Sequence, residues 1–265
     1  MVLNSIRNIL FYRHFIIGSV SKDFRQKYVN SFFGFFWSVL NPFFLIFLYF
    51  IIFNKFLKIS LLNDNSSVNY AIYICLCLIH WNLFIDLFRD TKNIFVINAE
   101  LLRRYYVPKY ILLNVIIINA LINYFISLFI FLLLCFFFGK YFSFATLNFV
   151  PIVFLFIFFS IIIGLIFGYV NVFFRDIDHI FPFVTTIWFW LTPILYDAQI
   201  LPNNLQIYIK YNPLFELFQS LKNIFILNVY PSWSNLDYFI YISFFFLLIL
   251  IFFYRKLNKH LIDHI

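Results

Sequence analysis

Residues 115–138 read VIIINALINYFISLFIFLLLCFFF, a run without Asp, Glu, Lys or Arg. A helix rises about 1.5 Å per residue, so about 20 such residues cross a hydrocarbon core of about 30 Å. The runs Phe43–Phe53 and Phe239–Phe253 have the same character. None of the three alternates apolar with polar residues, as a strand of a membrane barrel would. A bilayer offers the backbone no hydrogen-bond partners, and a helix satisfies its own N–H and C=O groups. The expected fold class is therefore an all-α integral membrane protein.

Composition agrees. The chain is 64% hydrophobic and 11% charged, with mean hydropathy +0.93. A soluble domain carries about a quarter charged residues and could not hide this much apolar surface. Outward from the central run, spans are expected at 32–57, 68–88, 110–138, 148–173, 180–197 and 236–254, giving six transmembrane helices in a single transmembrane domain, 1–265. Alternate breaks place fourteen basic residues on one side, among them Arg7, Arg89, Arg103, Arg104, Arg175 and Arg255. The other side holds five: Lys55, Lys58, Lys140, Lys210 and Lys222. By the positive-inside rule both termini are expected in the cytoplasm, with membrane lipid and no nucleic acid as surroundings. Arg7, Arg13 and His14 break the first apolar stretch and no small-residue cleavage site follows, so a retained N-terminus is expected.

Residues 1–30 place Ile6, Ile9, Leu10, Ile17, Val20, Phe24 and Tyr28 mostly three or four apart, with Arg7, Lys22, Arg25 and Lys27 elsewhere. This spacing predicts an amphipathic interface helix; a plain juxtamembrane anchor is the alternative. Between the second and third spans, the mixed-charge segment 89–109 can form a short surface helix around Asn98, Glu100, Leu101, Arg103 and Arg104. Residues 198–235 hold Pro202, Pro213 and Pro231, and Leu214, Leu217, Phe218, Leu221 and Phe225 form a helical stripe. External or re-entrant helices are expected there.

Chemistry is limited. No glycine-rich phosphate loop exists, and the five glycines cannot build one. No Ser/His/Asp set, metal spacing or paired carboxylates stand out, so no catalytic or metal-ligating residue is assigned and the chain is not expected to be an enzyme. Cys75, Cys77 and Cys135 lie in apolar stretches and read as packing residues. His80 lies within a span, where it is either a neutral, hydrogen-bonded histidine or a functional group. Arg175, Asp176, Asp178 and His179 read as a solvated turn with local ion pairing. Ser160, Gly164 and Gly168, four apart, let another helix approach closely, within one subunit or across a dimer.

Three segments together resemble the permease subunits of ATP-binding-cassette transporters that export O-antigen, teichoic acid and related polysaccharides. The first is Lys22-Asp23-Phe24-Arg25-Gln26-Lys27-Tyr28 followed by Ser31, Gly34, Trp37 and Asn41-Pro42. The second runs from Asn98 to Arg104 with Tyr106-Val107-Pro108, and the third is Asn171 to Ile177, then His179-Ile180, Trp188, Leu191-Thr192-Pro193-Ile194 and Asn212-Pro213-Leu214. One departure is His80, where relatives commonly carry proline.

The resemblance implies a homodimer in the bacterial inner membrane, joined to two ATPase subunits that bind ATP and magnesium. It also implies a lipid-linked polysaccharide as cargo and a coupling helix around Asn98–Arg104, with Arg25 and Lys27 nearby. Ser160, Gly164 and Gly168 are then candidates for dimer packing. A hydrated polymer needs aromatic faces beside hydrogen-bonding groups, which makes Trp37, Tyr169, Trp188, Trp190, Tyr196 and Tyr211 candidate channel residues. Interfacial belting explains the same Trp and Tyr positions. A channel or proton-coupled carrier without an ATPase is the alternative function, and a membrane scaffold is a third.

Overall fold

The computed structural model describes residues 11–27, 29, 31–57, 66–105, 107–140, 143–258 and 261–264. Ile6, Arg7, Ile9, Leu10, Tyr28, Lys58 and Tyr106, named above, lie outside them. Among the described residues every regular element is helical. In chain order these are α1 (Arg13–Lys27), α2 (Trp37–Ile51, continued by a π turn, Ile52–Phe56), α3 (Ser67–Lys92), α4 (Ile94–Ile97), α5 (Ala99–Arg104) and α6 (Lys109–Phe137). There follow α7 (Phe149–Phe173), α8 (Ile177–Leu191), α9 (Asn203–Lys210), α10 (Pro213–Phe225), α11 (Asp237–Leu257) and α12 (Leu261–His264).

Five segments are long and apolar enough to cross a membrane: Trp37–Phe56, Ser67–Lys92, Lys109–Phe137, Phe144–Phe173 and Trp233–Leu257. They fall on five of the six expected spans. The sixth, expected at 180–197, is the shorter α8, 15 residues long. At 1.5 Å per residue this is roughly 22 Å, short of a hydrocarbon core of about 30 Å. The helix stops because Pro193 disfavours helical backbone at the residue before it, and Thr192 is extended (φ −100°, ψ 125°).

The centre of the bundle is α3, 83% of whose most apolar stretch is buried, against 17% for α2 and for α11. The Ser66 hydroxyl caps it by accepting from the Asn69 N–H at 3.3 Å. Despite His80 the helix is continuous from Ser67 to Lys92. His80 is fully buried and hydrogen-bonded within the bundle, with Nδ1 2.8 Å from the Leu76 carbonyl and Nε2 3.1 Å from the Tyr124 hydroxyl.

α7 lies directly against α3. A Cβ on Gly164 would stand 2.7 Å from the Thr91 Cβ, and one on Gly168 would stand 3.2 Å from the Thr91 and Lys92 carbonyls. Ser160 is fully buried and donates to the Phe156 carbonyl at 2.6 Å. Of the two packings open to the stripe, within one subunit or across a dimer, its close approach to α3 is made inside one chain.

The helix expected within 1–30 appears as α1 and packs on α6, where Ile16 meets Ile111 and Val115, with Tyr12 and Val20 alongside. Tyr12, Ile16 and Val20 are four apart and form one row of the helix. Ile17, expected on the apolar face, is instead 62% exposed. In the 198–235 segment, the stripe Leu214, Leu217, Phe218, Leu221 and Phe225 is buried, as the sequence reads. Asn212 caps α10 by accepting from the Leu214 N–H at 3.1 Å, with Pro213 at its first position. Phe218 packs on Phe156 of α7, their ring centroids 5.2 Å apart.

Candidate functional site

The two ends of α3 carry different chemistry. At its N-terminal end, Tyr70 and Tyr73 donate to the Leu195 and Pro193 carbonyls at 2.7 and 3.0 Å. Those hydroxyls satisfy the backbone that Pro193 frees from helical bonding. Beside them Lys222 of α10 binds Asp197 at 2.7 Å, both side chains being largely buried. Asn212 joins the cluster through three bonds: it accepts from Trp188 Nε1 at 3.0 Å and donates to the Thr192 hydroxyl at 2.7 Å and the Leu191 carbonyl at 3.3 Å. Partial burial raises the Glu216 carboxyl above its ordinary value, and Lys210 pulls it back down.

The opposite end holds the segment 89–109. Ile94 and Phe95 of α4 are buried with Leu112, Tyr169, Val172 and Leu261, which roots the segment in the bundle. Asn98 ends α4 by donating to the Ile94 carbonyl at 2.8 Å. In α5, Leu101 and Leu102 are half-buried while Glu100, Arg103 and Arg104 are exposed. Next to this root, the buried Lys92 pairs with Asp178 at the start of α8, and Asn171 Nδ2 lies 3.3 Å from Asn93 Oδ1 and 3.5 Å from Asp178 Oδ1. Asp178 therefore does not belong to a purely local turn. The sequence gives no sign of this pairing, because Lys92 and Asp178 are 86 residues apart and each ends a different apolar run.

A cleft of about 440 Å³ opens between α1, the C-terminal part of α3, α4 and α6. Lys22, Asp23, Lys27, Asp86, Arg89 and Asp90 line it. Arg89 bonds Asp86 at 2.8 Å and Asp90 at 3.0 Å, and Asn119 donates to Asp23 at 2.7 Å. Of the expected coupling residues, Lys27, Asn98 and Leu101 border this cleft together. Arg25 lies on a separate shallow face with Gly18 and Gln26.

The candidate channel aromatics are not gathered in one place. Trp188, Trp190, Tyr196 and Tyr211 belong to the α8–α10 end, where the Tyr196 hydroxyl donates to the Trp190 carbonyl at 2.7 Å and the Tyr211 carbonyl accepts from Tyr238 at 3.1 Å. Trp188 packs edge-on to Phe84, their centroids 5.2 Å apart. Trp37 is half-buried at the start of α2, edge-on to Phe33. Tyr169 is 2% exposed and its ring packs on Phe95, so within this chain it lines no open space.

The description "ABC-2 type transporter" matches residues 16–226, the stretch holding α2 through α10 and most of α1. The chain belongs to this membrane-transporter family. Among curated relatives, it is 24% identical over 227 residues to an O-antigen export system permease protein RfbA of Klebsiella pneumoniae, covering 85% of each chain. A Myxococcus xanthus protein of the same name is 24% identical over 226 residues, 84% of this chain and 85% of its own.

Proposed function

We propose that this chain is the membrane subunit of an ATP-driven exporter that moves a lipid-linked polysaccharide, of the O-antigen kind, across the bacterial inner membrane. The observation that carries the reading is the likeness to O-antigen export permeases over 85% of both chains. It works as a homodimer with two ATPase subunits, which bind the ATP and magnesium. Both termini face the cytoplasm, and α8 with the extended residues after it makes the sixth, short crossing. The charge asymmetry of the breaks supports this orientation.

Energy enters through α5. Transport against a gradient needs a differential contact with the two states of the partner, and Glu100, Arg103 and Arg104 are exposed to make one. Ile94 and Phe95 carry that force into the bundle base, and Lys92–Asp178 passes it to α8.

The test is a complex purified from membranes with its ATPase, compared with a variant carrying Glu100→Ala and Arg103→Ala. Export in reconstituted vesicles should fall about tenfold while ATP hydrolysis persists, the size expected of a lost inter-site coupling. Unchanged export would remove α5 from the coupling role. Failure of any ATPase to copurify would favour a carrier working without one.

A further inference from the structure

The cleft beneath α1 does not end at the surface. A second cavity of about 230 Å³ between α2, α3 and α6 shares Lys27, Asp86, Ala120 and Asn123 with it, so the two form one continuous groove along α3. The second cavity is lined by Ser38, Asn41, Asn82, Asn123, Tyr124 and Ser127 alongside apolar residues such as Pro42, Leu45 and Leu83.

Two features of this groove are costly in hydrocarbon. From Tyr70 to Phe84 every residue of α3 is buried except Asn82, whose amide is exposed in the middle of an otherwise apolar helix. Asn41, inside the α2 span, is exposed as well. An amide facing lipid without a partner loses its hydrogen bonds, so such groups face water, protein or a polar ligand. In the first cavity, Asn119 Oδ1 is buried without a partner among the described residues, although its Nδ2 serves Asp23.

The charges of the mouth balance. Lys22, Lys27 and Arg89 stand against Asp23, Asp86 and Asp90, and Arg89 bridges two of the acids. A phosphate group would meet as many carboxylates as cations. Amide and hydroxyl groups at this density suit a ligand rich in neutral hydroxyls, each of which both donates and accepts.

We propose that this groove admits a neutral, hydroxyl-rich segment of the glycan and is the path by which the sugar chain reaches the interior of the bundle. The assignment rests on the polysaccharide-export reading above. It predicts a hydrated groove whose amides act on the cargo and not on ATP.

Cysteine at Asn82 or Asn123, and at the exposed Phe125 on α6 as a lipid-facing control, would be treated with a sulfonate-bearing methanethiosulfonate in membrane fragments open on both faces. Cys75, Cys77 and Cys135 are buried, so the unmodified full chain gives the background. Groove cysteines should react at least about tenfold faster than the control, because the reagent needs a hydrated thiolate. In cells carrying the chain with its ATPase, Asn82→Leu should cut surface glycan about tenfold and Asn82→Ser should retain most of it, as expected when one hydrogen-bonding contact is lost and regained.

Reaction no faster than at Phe125 would show a dry or covered groove and overturn the proposal. So would disulfide formation between two copies through Asn82→Cys, which makes the groove a subunit interface, or full export by Asn82→Leu. Protection of Asn123→Cys by inorganic pyrophosphate would assign the groove to a phosphate ligand instead. An unmodified complex that hydrolyses ATP and exports no glycan, while Asn82→Cys still reacts fast, would overturn the export reading and leave the groove's hydration standing.

Discussion

Ion pairs stand beside both ends of α3, and two of them, Lys222–Asp197 and Arg89–Asp86, differ in what surrounds them. At the N-terminal end Lys222–Asp197 is enclosed by Tyr70, Tyr73 and the backbone of residues 193–195, with Lys222 Nζ 5.8 Å from the Tyr73 ring centroid. At the other, Arg89–Asp86 sits at the mouth of an open groove, its side chains 50% and 33% exposed. One end is closed by a buried network, and the other, beside the Lys92–Asp178 pair, keeps polar space next to α5.

The largest expected effect is at the latch. Lys222→Ala leaves the Asp197 carboxylate 5% exposed and unpaired, which should destabilise the fold by about 3–5 kcal/mol. Replacing both partners, Lys222→Met with Asp197→Leu, should recover most of that loss. Denaturant unfolding of the purified protein measures both variants. Equal instability in the double variant would mean the latch is held by geometry other than the pair.

A smaller effect is expected where α7 meets the groove end of α3. Gly164→Ala places a Cβ against Thr91 and should cost about 1–3 kcal/mol by overpacking. Gly18→Ala on α1, with open space at the Cβ position, should be neutral or stabilising by about 1 kcal/mol, since alanine favours a helix more than glycine does. Equal costs for the two would contradict the close α3–α7 approach. The smallest change belongs to the groove mouth: Asp86→Asn should alter stability by about 1 kcal/mol or less, because an exposed pair gains little over its hydrated partners. A loss as large as that of Lys222→Ala would erase the contrast between the ends.

Much of the architecture was legible in the residues. Long apolar runs gave five of the spans to within a few residues at most of their bounds, and the stripe from Leu214 to Phe225 marked the buried face of α10. Such signals are local: a span is set by its length in apolar residues, and a cap by three or four neighbours. The fifth expected span was drawn too long because hydropathy continues past Leu191, whereas backbone geometry at Thr192-Pro193 does not allow the helix to.

The site was less legible because its parts come from distant stretches. Sequence placed a short helix at Asn98–Arg104 and charges around it, but not the root formed by Ile94 and Phe95 or the Lys92–Asp178 pair. It offered Ser160, Gly164 and Gly168 as a close-packing face without saying which helix would fill it, and α3 of the same chain does. It gave Asn41, Asn82, Asn119 and Asn123 as scattered amides in three apolar runs. Apolar length and charge asymmetry by themselves determined that the chain is a helical membrane protein, because those properties are additive along the sequence. Only the tertiary structure decided that the amides share one groove, since a helix face acquires its neighbours from packing and not from its own order of residues.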